Sequence, residues 1–469
     1  MIEISPEQVE TALREENPWW SEIPSLPGRF DDARPRQFLN SFMELVRADT
    51  PRREVVLLGP RRVGKTFLIH HAIRKLIQSA VPGERILYVQ IDNPVYVGAS
   101  LADLLEAFRK VTGTDWRTKK CHVFFDEIQY LPDWEVHLKS LHDAGTLTRF
   151  VASGSANSAL GRGSKESGAG RFTDFLLPPL TFAEFLHLRD LEHLVARDEN
   201  GWFATDIEEL NREFIRYLNF GGYPEVALGP DLQANPVRFM RSDIIDKVLL
   251  RDLPSLYGIT DVRELNRLFT MLALNTGNEL SLEGLSSKSA VSKNTLKRYI
   301  AYLEAAFLIR TITRVDQHAG RFQRDRGYKV FLTNPSLRTG LFAPLKENDE
   351  TLGSLVETGI FAQRFHRLGE QLHYARWKSG STDYELDLVE LDPAMKAREA
   401  VEIKYTDRVV RQTGTWEPWI RFCRENRLDA LTITTRTHEG TAEAGGVKIH
   451  FEPSAIHAYR LGMSDLAML

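Results

Sequence analysis

Glu54-Val55-Val56-Leu57-Leu58-Gly59-Pro60-Arg61-Arg62-Val63-Gly64-Lys65-Thr66 is the stretch on which the reading of this chain turns. Its apolar, β-branched opening predicts a buried strand, and the remainder spells glycine, four residues, then Gly-Lys-Thr. A loop of this pattern wraps backbone N–H groups around phosphates, while the lysine reaches the terminal phosphates and the threonine hydroxyl ligates Mg²⁺. Phe67 to Leu76 then carries apolar residues at helical spacing, so the strand before the loop and the helix after it are both expected. Gly59, Pro60, Arg61, Arg62, Val63, Gly64, Lys65 and Thr66 form the expected phosphate cradle.

Working outward, Arg85 to Asp92 predicts a second buried strand and Leu101 to Val111 a helix. The third strand, His122-Val123-Phe124-Phe125, runs into Asp126-Glu127 about sixty residues beyond the loop. Two carboxylates there suit phosphoryl chemistry: Asp126 would hold Mg²⁺ through water and Glu127 would act as general base on the attacking water. That pair points to hydrolysis of ATP by the chain's own base, with ATP and Mg²⁺ as cofactors. A fourth strand, Arg149 to Ser153, ends in Gly154-Ser155-Ala156-Asn157. Ser155 is expected either to sense the γ-phosphate or to belong to an ordinary strand-to-helix turn. Gly161 to Gly170 reads as a Gly/Ser loop that delivers Arg171 ahead of a fifth strand at Phe175-Leu176-Leu177. Arg171 is either a surface charge or a group that stabilises the transferring phosphoryl, in cis or from a neighbouring subunit. Upstream, Asn17-Pro18-Trp19-Trp20 and the periodic Phe38, Leu39, Phe42, Leu45 and Val46 suggest a lead-in over 1–48 packed on a core at 49–180. From 181 to 260, Phe182, Phe185, Leu186, Phe214, Tyr217 and Leu218 give a helical reading, broken at Gly221-Gly222-Tyr223-Pro224.

Several of these segments resemble one known group. Gly-Pro-Arg-Arg-Val-Gly-Lys-Thr, the Phe-Phe-Asp-Glu-Ile-Gln strand end, the Ser-Gly-Ser turn, Gly-Arg-Phe ahead of Leu-Leu-Pro-Pro-Leu-Thr-Phe-Ala-Glu-Phe, and Gly-Gly-Tyr-Pro look like the bacterial and archaeal AAA-type ATPases with a C-terminal domain of unassigned function. The resemblance implies an α/β nucleotide core, a helical lid, and oligomers, often hexamers with the active site between subunits. It implies no substrate. Lys65, Thr66, Asp126 and Glu127 keep under it the roles argued above, and the sensor and finger roles fall to Ser155 and Arg171.

Downstream, Leu280 to Ser287 and a helix from Ser292 with Leu296, Tyr299, Ile300 and Leu303 on one face have helix-turn-helix spacing. Lys293, Asn294, Lys297 and Arg298 lie on the opposite face, where such groups meet phosphates and base edges of DNA. Leu308 to Val315 and Arg326 to Leu332 would be the strands of a wing. Ser286 to Arg326 holds nine Lys/Arg against three Asp/Glu in a chain of net charge -4, a local reversal that favours nucleic acid. A winged helix used for protein contacts is the other reading of 261–333. The last segment, 334–469, predicts a helix at Leu352 to Phe365 and strands at Leu372–Trp377, Tyr384–Leu391 and Ala400–Tyr405, followed by a helix from Trp416 to Asn426 and a strand at Ala430–Thr434. Asp387 on one strand, Glu402-Ile403-Lys404 on the next and Glu357 on the helix resemble the PD-(D/E)xK nucleases, although no proline precedes Asp387. That resemblance implies a divalent metal held by Asp387 and Glu402 with Glu357, and a water oriented by Lys404.

The expected fold class is therefore α/β: a P-loop parallel-sheet ATPase core with helical lid, a winged-helix domain and a C-terminal α/β nuclease-like domain. A chain of 469 residues exceeds one ordinary core, and its composition is that of a soluble globular protein. Its acidic balance excludes a globally basic nucleic-acid binder. The N-terminus lacks a basic-then-apolar leader and no run has the length of a membrane span, which predicts a cytoplasmic protein without membrane contact. Cys121 and Cys423 stand far apart and read as reduced. Two functions fit: an oligomeric ATPase that remodels or translocates on DNA, with or without metal-dependent nuclease activity, or a nucleotide-controlled assembly switch acting through protein contacts with an inactive nuclease-like domain.

Overall fold

The computed structural model describes residues 5–21, 25–50, 52–154, 170–199, 201–320, 327–364 and 371–468. It divides into two compact units, Met1–Leu177 and Pro178–Leu469.

In the first unit, α1 (Pro6–Glu16) and α2 (Leu39–Arg47) precede β1 (Glu54–Leu58), α3 (Lys65–Gln78), β2 (Ile86–Gln90) and α4 (Leu101–Thr112). β3 (His122–Asp126), α5 (Trp134–Asp143), β4 (Arg149–Gly154) and β5 (Phe172–Leu176) complete it. The strands form one sheet in the order β2-β3-β4-β1-β5, and every pairing is parallel. All residues of β1, β3 and β4 are buried, as strands covered on both faces by helices must be. β2 lies at an edge, and the lead-in closes it. Asn17 Nδ2 donates to the Tyr88 carbonyl at 2.8 Å and its Oδ1 accepts from the Tyr88 N–H at 2.7 Å, as a neighbouring strand would. The indole N–H groups of Trp19 and Trp20 both donate to the Ile86 carbonyl, at 3.1 and 2.8 Å.

The second unit opens with α6 (Phe182–Leu188), a small hairpin of β6 (Val195–Arg197) and β7 (Trp202–Ala204), α7 (Ile207–Phe220) and short helical segments up to Tyr257. The hairpin interrupts a stretch expected to be wholly helical. Next come α8 (Val262–Leu274), β8 (Glu279–Leu280), α9 (Leu282–Ser289), α10 (Lys293–Ala305), β9 (Ile309–Val315) and β10 (Tyr328–Leu332). The chain ends with α11 (Leu352–Ala362), β11 (Gln371–Ser379), β12 (Thr382–Leu391), β13 (Ala397–Glu402), α12 (Glu417–Glu425), β14 (Ala430–Thr435), β15 (Gly440–Ala444), β16 (Val447–Pro453) and α13 (Ser454–Met468). One sheet in the order β15-β16-β14-β13-β12-β11-β9-β10-β8 runs through it.

That sheet corrects the expected boundary at 333/334, because β9 pairs in parallel with β11, placing His373 opposite Thr313. The helix-turn-helix segment and the C-terminal segment are parts of one unit. The helical segment from 181, which the expected fold would use as the lid, packs into this unit: Phe182, Phe185, Phe214, Tyr217 and Leu218 share one buried cluster with Phe331, Val356, Tyr374, Leu388, Val401 and Ile456. Gln363 ties the two ends together, accepting from the Phe182 N–H and donating to the Tyr217 hydroxyl, both at 2.8 Å. The expected break at Gly221–Pro224 is a tight approach, where a Cβ on Gly222 would overlap the Asn334 amide. Strand patterning reports which face is apolar, but not which distant strand supplies the hydrogen bonds.

Candidate functional site

The loop after β1 folds as its glycines require. Gly59 passes so close to the Leu177 carbonyl that a Cβ would collide with it, while Arg62 and Gly64 take positive φ angles of 64° and 93°. Alternation of this kind turns successive N–H groups inward. Val63 is wholly buried and its carbonyl accepts from Arg36 Nη1 at 2.7 Å, so the lead-in also braces the loop. Lys65 is 5% exposed, and its ammonium rests on the Gly59 and Pro60 carbonyls, each at 3.0 Å. Burial pushes its pKa down, and the charges of Glu127 and Asp126 oppose that shift. An anion in the loop would restore what the ammonium lost in leaving water.

Asp126 stands at the end of β3, 1% exposed, with three hydroxyls aimed at it. Thr66 Oγ1 donates to Oδ2 at 2.7 Å, Tyr88 Oη donates to the same oxygen at 3.0 Å, and Ser153 Oγ donates to Oδ1. The Thr66 hydroxyl and the Asp126 carboxylate are hard oxygen donors side by side, a set that fits Mg²⁺. Glu127 follows in the left-handed region, φ 55°, a conformation that costs energy for a residue with a Cβ and turns it off the strand. Its amide N–H lies 3.2 Å from both Ser153 Oγ and Asp126 Oδ1, and the Gln129 amide donates to its carboxylate. One turn into α3, His70 stacks on Phe30 with ring centroids 3.7 Å apart, and its Nδ1 is 2.8 Å from the Thr66 carbonyl. Burial lowers its pKa to about 4, so it stays neutral near pH 7.

Of the sensor and finger candidates, Ser155 lies outside the described residues. Ser153 donates to the Asp126 carboxylate and accepts from the Glu127 N–H. Register was the signal: Ser153 pairs opposite Leu57 while its neighbour Ala152 pairs with Phe125, which sets Ser153 beside Asp126. Tyr88 was equally readable, since Gln90 pairs with Asp126 and Tyr88 lies two residues back on the same face. Arg171 is not brought to the loop. Its carbonyl accepts from the Glu54 N–H at 2.8 Å, at the start of β1, and its Nε pairs with Asp143 at 2.8 Å. The loop leaves the other end of β1, five residues away, or roughly 16 Å at about 3.3 Å per residue. Arg171 therefore stands at the end of β1 opposite the loop.

In the second unit, Ser292 caps α10 by accepting from the Thr295 N–H at 3.2 Å. Leu296, Tyr299, Ile300 and Leu303 are buried, and Lys293, Asn294, Lys297 and Arg298 are exposed. Lys293 pairs with Glu283 of α9 at 2.9 Å. β8 pairs with β10, and β10 with β9, both antiparallel.

Glu357, Asp387, Glu402 and Lys404 also come together, and a residue absent from the sequence reading joins them. Lys329 of β10, its side chain 4% exposed, places Nζ 2.8 Å from Glu357 Oε1, 2.8 Å from Glu385 Oε1 and 3.7 Å from Asp387 Oδ1. Lys404 lies just past the end of β13, pairing with Asp387 Oδ2 at 3.3 Å and with Glu402. The Ile403 N–H donates to Asp387 Oδ2 at 2.9 Å. Burial alone would raise the Asp387 pKa, but Lys404 and Lys329 bring it below the usual range. Burial and the Asp387 charge raise Glu357 to about 7 and Glu402 well above its ordinary value. The expected metal set is thus ion-paired with protein ammonium groups. Among the described residues, no group of three or more His, Cys, Asp or Glu side chains is arranged to hold a metal ion. The motif placed the carboxylates, and Lys329 was missed because it reads as one alternating residue of a wing strand.

Among the described residues no helix is long and apolar enough to cross a membrane. A family described as "AAA domain" matches residues 51–186, the stretch that holds the loop and Asp126. A domain of unknown function matches 211–349. An uncharacterized protein of Methanocaldococcus jannaschii is 25% identical over 400 residues, covering 83% of each chain. One from Mycobacterium tuberculosis is 28% identical over 386 residues, 79% of this chain and 77% of that one. Among solved structures, the Aeropyrum pernix ORC1 protein in complex with DNA is similar at 15% identity and a TM-score of 0.33, covering 67% of this chain and 94% of that one. The Aeropyrum pernix ORC2 protein, solved as ADPNP–ADP complexes, gives 14%, 0.37, 69% and 95%. Scores of this size carry no argument about function.

Proposed function

We propose that this chain is an ATP-hydrolysing AAA-type ATPase that self-associates and acts on DNA. The observation that carries the reading is the convergence of Thr66, Tyr88 and Ser153 on Asp126 beside the phosphate loop, with Glu127 turned off the strand next to it. In this reading the loop N–H groups and Lys65 bind the β- and γ-phosphates, and Thr66 and Asp126 would hold Mg²⁺. Bound Mg²⁺ would neutralise phosphate charge. Glu127, aligned by Gln129, takes the proton of the attacking water. Ser153 holds the Asp126 carboxylate and the Glu127 N–H together.

Two further parts of the proposal rest on separate features. The exposed Lys293, Asn294, Lys297 and Arg298 face of α10, in a helix-strand-helix-helix-strand-strand order, supports a winged helix that meets DNA phosphates. Arg171, remote from its own loop, supports self-association in a ring, hexameric by the family resemblance, in which it serves a neighbour's nucleotide. DNA cutting is not part of the reading, because ammonium groups engage both oxygens of Asp387. The decisive assay measures ATP turnover with single-stranded, duplex, forked and junction DNA, alongside DNA binding at moderate salt. Stimulation by one DNA form is expected. Turnover indifferent to all four, with no DNA bound, would leave the nucleotide-controlled assembly switch.

A further inference from the structure

The carboxylate cluster of the second unit has the residue types of a metal centre and yet is already ion-paired from within. Lys329 reaches it from β10, whereas Glu357 comes from α11, and Glu385 and Asp387 come from β12. Its ammonium lies within 2.8 Å of two carboxylates and 3.7 Å of a third, with the Tyr374 ring centroid 5.3 Å away. On the other side, Asp387 Oδ2 is taken by Lys404 at 3.3 Å and by the Ile403 N–H at 2.9 Å. Gly277 closes a further flank, since a Cβ there would stand 3.2 Å from Glu357 Oε2. A divalent ion needs about six oxygen ligands at roughly 2.0–2.6 Å. Lys329 Nζ thus stands among Glu357, Glu385 and Asp387, while Lys404 covers Glu402 and the other oxygen of Asp387.

We propose that Lys329 is a built-in cation standing where a divalent metal would sit, and that the centre around Asp387 is a metal-independent clasp joining β10 to α11 and β12 rather than a hydrolytic site. The geometry has a reason in the chain path. β10 belongs to the segment that presents α10, so the clasp fastens that segment to the C-terminal strands with charges instead of an exchangeable ion. It holds whether or not the loop at Gly59–Thr66 hydrolyses ATP.

The test counts Mn²⁺ bound per full-length chain without nucleotide, by titration calorimetry and by electron paramagnetic resonance of the free ion. Wild type and Asp387→Asn are expected to bind the same number. Lys329→Met is expected to bind one more, to be raised in melting temperature by Mn²⁺ where wild type is not, and to lose both properties when combined with Asp387→Asn. One Mn²⁺ more on wild type than on Asp387→Asn would overturn the proposal, since the metal would then displace the ammonium. A folded Lys329→Met that gains no Mn²⁺ would overturn it as well. Should Lys329→Met fail to fold, the comparison of wild type with Asp387→Asn decides alone.

Discussion

Asp126 and Asp387 are both buried aspartates on strands, and they are satisfied by opposite means. Asp126 accepts from three neutral hydroxyls, Thr66, Tyr88 and Ser153, while Lys65 stands apart on the Gly59 and Pro60 carbonyls. Its negative charge is solvated but not cancelled. Asp387 is flanked by two ammonium groups, Lys329 and Lys404, and its charge is met within the fold. Hydroxyl donors hold a carboxylate in place while leaving it attractive to a cation; ammonium donors hold it and remove the attraction. On the proposed reading, the same residue types make a recruiting site in one unit and a closed one in the other.

The largest effect should come from the recruiting site. Glu127→Gln is expected to slow steady-state ATP turnover by about 10²–10⁴-fold, the range for loss of a positioned general base, with ATP still retained in filter binding. Unchanged turnover would remove Glu127 as the base. At the closed site the effect should fall on stability. Lys329→Met leaves buried carboxylates without their counter-charge and should cost about 3–5 kcal/mol in denaturant unfolding of the second unit, with the first unit unaffected. A loss below about 1 kcal/mol would mean that the cluster is not held by charge.

Acid should separate the units further. Burial works against the Glu452 carboxylate, but His457 Nδ1 at 2.6 Å and the Arg460 guanidinium at 2.9 Å depress its pKa from 4.5 to about 2. A lowered folded-state pKa stabilises above the unfolded value, and the contribution is lost as pH falls from about 4.5 to about 2. The second unit should lose on the order of 3 kcal/mol across that window. Glu452→Gln should flatten the dependence in a pH series of denaturant melts. The smallest effect is expected on α10, where Lys297→Ala should weaken DNA binding evenly across sequences and reduce the slope of log affinity against log salt by about one. An unchanged slope would place DNA elsewhere or nowhere.

Much of the first unit was legible because its signals are local. A strand, a loop with glycines at fixed offsets and a helix follow one another within Glu54 to Gln78, and the Asp126-Glu127 pair closes a strand whose apolar run is unbroken. Ser153 and Tyr88 were not singled out, because cross-strand register decides which side chains face Asp126. In the second unit the helix-turn-helix pair and the strands near Asp387 were visible, but β15, β16 and α13 gave no reading, and the hairpin at Val195–Ala204 passed for helix.

By itself the sequence determined the phosphate loop, its helix and the carboxylates of both centres, since each depends on residue types at short, fixed spacings. Tertiary structure alone decided that Lys329 enters the Asp387 cluster, that Arg171 stands at the far end of β1 from the loop, and that the segments either side of residue 333 share one sheet. The physical reason is common to all three. Long-range strand pairing and burial choose which distant charges meet, and a buried charge is satisfied by whatever the fold brings to it.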